Sequence, residues 1–394
     1  MTWIVAWTQT DGNRASALPG WLTPAAGGAI LLGSIGTGIG LASSVHDETW
    51  WILLLNFLFW MGLAQGMLVW SAAFRTAQAS WAAGPNRIGR SSLGFLAFSI
   101  PVFLLLWTGR AHWLTWVGHP LPEKAWWLNE PFFFGRNLAA LVLIALASAA
   151  FVGAYRKAES LPESAKPAHH HRLNVLAIML AVAYALTYSL FGFDLMMSLD
   201  PRWYSTLYGA YFFVSTLYMA MAAMILVAAL VREPLGLEAH LGPRQFQDMA
   251  NILLGFGIFT TGLFFAQFLT IWYGNLPEET SHLIPRLYQY PWRGVAWAVL
   301  FGAYLGPFAL LQVPSQKANP NYVRWPALLV VCAMGLERWI MIVPSFTTER
   351  LAGLHPLALS SGLVFLGVFV LVVVRSLSQR PQVSEMDLEL ALPD

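Results

Sequence analysis

WWILLLNFLFWMGLAQGMLVWSAAF, residues 50–74, runs for 25 residues without one Asp, Glu, Lys or Arg. A helix of about 20 apolar residues crosses the roughly 30 Å hydrocarbon core of a bilayer, and in lipid it satisfies its backbone hydrogen bonds within itself. A surface helix of a soluble domain would show a charged face over such a length. Working outward, nine further runs of the same kind stand near 25–44, 91–109, 131–155, 173–193, 204–231, 249–273, 292–313, 325–344 and 355–374. The expected fold is an all-α integral membrane protein of about ten transmembrane helices, a single polytopic domain over 1–394. Composition agrees: 11% of residues are charged, where a soluble domain carries about 25%. The first 20 residues are mixed in character and lead directly into further spans, so no cleaved signal peptide is expected.

Lys and Arg resist translocation. Loops on the side of the termini hold 14 of them and the opposite loops 6, with Arg136 and Arg338 inside spans. Both termini are therefore expected in the cytoplasm of a bacterial inner membrane, and the loops after odd-numbered spans on the periplasmic side. The connector RKAESLPESAKPAHHHR (156–172) and the tail 376–394, with Glu385, Asp387, Glu389 and Asp394, read as solvated polar segments. No internal sequence repeat stands out.

Several function classes fall away. A net charge of +2 gives no case for nucleic acid. The single cysteine, Cys332, excludes an internal disulfide and any cysteine-held iron-sulfur cluster or zinc site. The nine histidines, His46, His112, His119, His169, His170, His171, His240, His282 and His355, fall in loops or at span ends, so none is placed as a haem ligand in a bundle core. The expectation is a chain with no metal or covalently held cofactor. GGAILLGSIGTGIG (27–40) lacks the spacing and the βαβ setting of a dinucleotide loop; Gly36 and Gly40 instead make a small-residue face for close helix packing.

A charge within a span costs roughly 2.5–3.5 kcal/mol at the helix centre and persists only with a partner or a role. Arg136 lies about one turn into the fourth span, close enough to the interface to snorkel. Glu337 and Arg338 lie together inside the ninth. Neighbours in sequence point to different faces of a helix, so this pair is not expected to neutralise itself, and at least one member should meet another helix or a wet cavity. An ion pair that fixes packing and a proton or quinone role are the two readings.

A third cluster gathers on the outer face. LFGFDLMMSLDPRWYSTLYGAYFF places Asp194 at the end of the fifth span and Asp200, Trp203 and Tyr204 in the turn into the sixth. IWYGNLPEETSHLIPRL, after the seventh, adds Trp272, Tyr273, Glu278, Glu279, His282 and Arg286. Aromatic residues at an interface are usually belt anchors. Acids, a histidine, arginines and flat rings on two loops of one surface also suit a lipid-soluble quinol. Its tail needs apolar walls, and its hydroxyls need groups that take protons as electrons leave. On that reading Asp194, Asp200, Glu278, Glu279 and His282 are the quinol or proton groups, and Trp203, Tyr204, Trp272, Tyr273 and Arg286 line the pocket. Arg136, Glu337 and Arg338 serve proton passage or helix pairing.

GFDLMMSLDPRWYSTLYGAYFF, FFAQFLTIWYGNLPEET and LERWIMIVPS, in this order, resemble the ActF membrane subunits of alternative complex III, a quinol:electron-acceptor oxidoreductase, within the polysulfide-reductase membrane-subunit (NrfD-like) superfamily. The resemblance implies two four-helix bundles plus two peripheral helices. It also implies partners: an iron-sulfur subunit of molybdoenzyme type, c-type haem subunits and a second NrfD-like subunit. Menaquinol or ubiquinol would be the substrate, in electron transport coupled to proton translocation. The competing expectations are a structural anchor with a degenerate quinol site and a secondary transporter with helices broken near Pro101 and Pro307.

Overall fold

The computed structural model describes residues 18–119, 121–158, 161–162, 165–379, 383 and 387. The expectations for the first 17 residues and for Glu385, Glu389 and Asp394 lie outside the described residues.

Among the described residues, ten helices are long and apolar enough to cross a membrane: Leu22–Leu41, His46–Thr76, Ala83–Thr108, Glu130–Ala158, Ala168–Leu199, Tyr208–Val231, Pro243–Gly274, Trp292–Leu310, Pro320–Ser345 and Pro356–Gln379, called spans one to ten. Each apolar run of the sequence lies on one of them. Apolar side chains such as Leu31, Leu143 and Leu186 are 61–70% exposed, a surface that water would not tolerate over such an area and lipid does. Burial sorts the spans. In span two 89% of the apolar window is covered by the chain itself and in span seven 17%, so span two is an axle and span seven a wall facing lipid.

Spans two to five close into one four-helix ring, with span two against three and five, three against four, and four against five. Spans six to nine close into a second ring, with six against seven and nine, and eight between seven and nine. Span two joins the rings by packing on span six. There a Cβ added at Gly66 would stand 2.5 Å from that of Ala220, so only glycine lets the backbones approach this closely. Spans one and ten pair with each other on the flank. Gly33 and Gly36 face Ser360 there, and Gly40 faces Thr49 of span two, which is the packing face expected of that glycine-rich run.

Two spans contain wide π turns, 192–196 in span five and 300–305 in span eight. Such turns redirect side chains inside a helix and recur at functional positions. Span five consequently does not stop at 193 but runs on through a 3-10 turn to Leu199. Pro101 does not break span three, which is continuous through Leu93–Thr108.

Glu130–Ala158 and Lys166–Phe191 extend into the 156–172 segment, where Arg156, Lys157, His171 and Arg172 are exposed while two histidines turn inward. His169 is buried and bonded to the Ala154 carbonyl, and His170 meets Arg75 at 2.9 Å. The tail departs from expectation as well: Asp387 is buried, 2.5 Å from Arg90 and 3.0 Å from Asn86. In both places a basic helix end collects a buried partner, which lowers the cost of leaving its carbonyls and cations unpaired.

Candidate functional site

With ten alternating spans the start of span one and the end of span ten lie at one end of the bundle; the turn between spans five and six lies at the other, the distal end. The turn after span five and the helix Pro277–Leu287 after span seven meet there. His282 Nδ1 is 2.9 Å from Asp200 Oδ2, and its ring lies flat on Trp203, with centroids 3.9 Å apart. Arg286, one turn along the same helix, donates to the His282 carbonyl at 2.8 Å and to Ser345 Oγ at 2.7 Å. Burial, seconded by the Arg286 charge, pushes the His282 imidazole down to about 3, against the pull of Asp200. His282 is therefore neutral near pH 7, donating Nδ1–H to the carboxylate and leaving Nε2 an acceptor. Burial works against the Asp200 carboxylate, but the His282 hydrogen bond and the Arg286 and Lys124 charges hold it below the ordinary range. Burial likewise lowers the Arg286 guanidinium to about 10, so it remains a cation near neutrality.

The other residues expected in this cluster are exposed or half-exposed beside it or, in the case of Asp194, buried apart from it. Glu278 is exposed and Glu279 half-exposed on the first turn of Pro277–Leu287, where carboxylates complement the helix dipole. Tyr273 is 84% exposed and Tyr204 65%, the latter with the Lys124 ammonium 5.5 Å above its ring. Trp272 is also outward, along the wall of a cavity described below. Asp194 is fully buried inside the first bundle rather than on the rim. It receives both Arg136 Nε (2.6 Å) and Nη2 (2.9 Å), Asn137 Nδ2 (2.7 Å) and Trp127 Nε1 (3.0 Å). Arg136 does not snorkel. Its guanidinium turns inward beneath the Trp127 ring, 4.0 Å from the centroid, because a bidentate buried carboxylate is a better partner than the interface.

Glu337 and Arg338 occupy the second bundle, and they do neutralise each other: Arg338 Nη1 is 2.5 Å from Glu337 Oε2. Their Cβ atoms diverge, but the long arginine side chain curls back across that angle. Each also meets another helix. Arg338 donates to Ser215 at 2.8 Å and lies over the Phe212 ring, while Glu337 Oε1 accepts the Tyr211 hydroxyl at 2.6 Å. Tyr304, from the π turn of span eight, stands 3.2 Å from Tyr211.

Beside this acid lies a cavity of about 390 Å³ between spans seven, eight and nine, walled by Phe264, Phe268, Trp297 and Ile340 and ending on Tyr211, Tyr304 and Glu337. A second cavity of about 440 Å³ adjoins it through Phe268 and Tyr288 on the distal side. A third, about 370 Å³, adjoins it through Thr261 and Tyr304. Together they form an apolar seam along the lipid side of spans seven and eight, with one buried carboxylate at its midpoint.

The tyrosines are the site residues that sequence reasoning missed. Tyr208, Tyr211, Ser215 and Tyr218 stand at i, i+3, i+7 and i+10 of span six, a hydroxyl stripe on a helix whose one other hydroxyl is that of Thr216. In lipid such a stripe must face the bundle interior. A trace of the doubled architecture was also legible. GFDLMMSLDP (192–201) and GLERWIMIVP (335–344) both place an acid two residues after glycine and a proline nine after it, on the last span of each bundle. The acids are Asp194 and Glu337, each held by an arginine. The chain matches no protein-family model and no curated protein.

Proposed function

We propose that this chain is a membrane subunit of a quinol:electron-acceptor oxidoreductase of the ActF kind, binding a quinol-class amphiphile in the second bundle and passing protons towards the distal end. The observation that carries this reading is the seam: a laterally placed run of adjoining apolar cavities whose midpoint is a buried acid that accepts the Tyr211 hydroxyl, with Tyr304 bonded in turn to Tyr211. An isoprenoid tail fits apolar walls, a ring fits among Phe264, Phe268 and Trp297, and a ring hydroxyl finds an acceptor in Glu337. Oxidation of a quinol releases two electrons and two protons. The electrons would pass to iron-sulfur or haem groups of partner subunits, because a chain with one cysteine supplies no relay of its own. Glu337 and Tyr211 are the groups placed to meet the first proton, and Tyr208 and the His282–Asp200 pair lie further towards the rim. Tyr208 and Tyr211 rings stand 6.4 Å apart, and Trp203 lies between Tyr208 and His282. The excess of Lys and Arg in loops on the terminal side supports a periplasmic rim in a bacterial inner membrane.

One observation favours a second reading, a structural anchor with a degenerate site: both oxygens of Glu337 are already occupied, by Tyr211 and Arg338. Two variants separate the readings. Ala296→Trp fills the cavity without touching the ion pair, and Tyr211→Phe removes one hydroxyl. In the assembled complex the first reading expects each to lower quinol turnover at least tenfold with assembly intact. Unchanged turnover in both leaves the anchor.

A further inference from the structure

Outside this site, at the distal ends of spans two and three, three potential ligand atoms converge. His46 and Asp47 open span two, and His112 stands on the short helix Arg110–Trp113 that follows span three. His46 Nε2 is 3.1 Å from His112 Nδ1, His112 Nδ1 is 2.8 Å from Asp47 Oδ1, and His46 Nε2 is 3.2 Å from that same oxygen. We infer that His46, Asp47 and His112 form a binding site for a divalent transition metal of the zinc class.

The chemistry of the triangle supports this. Two imidazole nitrogens that face each other across 3.1 Å, both directed at one carboxylate oxygen, cannot each place a proton on their shared side without opposing N–H groups. A cation at the centre turns all three lone pairs to one purpose. Zinc binds imidazole nitrogen and carboxylate oxygen at about 2.0–2.2 Å, which sets ligand atoms of a tetrahedral site roughly 3.3–3.5 Å apart. Two of the observed edges, 3.1 and 3.2 Å, need to widen by only a few tenths of an ångström, and the third, 2.8 Å, by roughly half an ångström or slightly more. Two imidazoles and a carboxylate select zinc, copper or nickel over magnesium and calcium, which prefer oxygen throughout. The half-open setting, with side chains 38–53% exposed, leaves a fourth position for water or a partner's side chain.

The ligands are held in place by their surroundings. Trp51 Nε1 donates to the His112 carbonyl at 2.9 Å, and the Trp50 ring lies parallel to the His112 ring. Glu48, the next residue after Asp47, receives Arg350 and the Gly353 amide at 2.7 Å each, fixing the start of span two to the loop between spans nine and ten. Outer contacts of this kind orient metal ligands. A bound ion would clip the distal ends of spans two and three together.

The test uses the full chain purified without a histidine tag, loaded with zinc chloride, desalted and assayed for metal, with Cu(II) electron paramagnetic resonance on a parallel sample. The expected result is one metal per chain and nitrogen coupling from two imidazoles. His112→Ala and His46→Asn should each abolish retention, while His355→Ala and His171→Ala, at other exposed histidines, should leave it unchanged. A thermal melt of the metal-free forms distinguishes lost ligands from a lost fold. No retained metal in the parent chain, or retention that survives His112→Ala, overturns the assignment.

Discussion

Acidification should loosen the distal rim through one residue, His282. Its folded-state imidazole is pushed from 6.5 down to about 3 by burial and by Arg286, whereas local opening of Pro277–Leu287 returns it to water. Because the folded value is depressed, the opened state binds the proton first. Stability of the rim is complete above the unfolded value and falls as pH drops from 6.5 towards 3. From about pH 7.5 to about pH 5.5 the linkage amounts to roughly 1.4 kcal/mol, about tenfold more opening. Asp200, also depressed, loses its contribution only below its ordinary value of 3.8, outside that window. Amide hydrogen exchange of 277–287, with the intrinsic pH dependence of exchange divided out, reads the opening directly. Protection should fall about tenfold in the parent chain and stay flat in His282→Asn, which keeps a donor for Asp200 but does not titrate. Equal slopes in the two proteins would refute the claim that a neutral, buried imidazole closes this rim.

Two further outcomes follow from the interior. Glu337→Ala should destabilise the chain by about 3–5 kcal/mol, because it strands the Arg338 cation, while Glu337→Leu combined with Arg338→Met should cost far less; unfolding titrations in mixed micelles measure both. Gly66→Leu should force spans two and six apart where a Cβ already approaches Ala220 to 2.5 Å, costing about 1–3 kcal/mol or more, and a melt in detergent checks it.

The ten spans were legible because crossing lipid demands uninterrupted apolar length, a property of consecutive residues. The packing face of Gly36 and Gly40 was legible for a related reason, since small residues spaced by four share one helix face. The meeting of Asp200 with His282 was accessible from topology alone, because two turns after odd-numbered spans must share an end. The Glu337–Arg338 bond was not, because helical periodicity describes where Cβ atoms point and says nothing of where a long guanidinium side chain can reach. The outward setting of Glu278 and Glu279 was not legible either, because the sequence does not say which face of the short helix Pro277–Leu287 meets the rim.

Sequence by itself determined that this is a ten-span α-helical membrane protein, that Arg136, Glu337 and Arg338 lie within its spans, and that it holds too few thiols for a cysteine-held redox relay. Those are consequences of composition and of runs along the chain. Only the tertiary structure decided that Asp194 belongs to Arg136 in one bundle and Glu337 to Tyr211 and Arg338 in the other, and that an apolar seam has the second acid at its midpoint. The reason is physical: a buried charge must be satisfied by whichever polar group packing brings within about 3 Å, and that group usually lies on another helix.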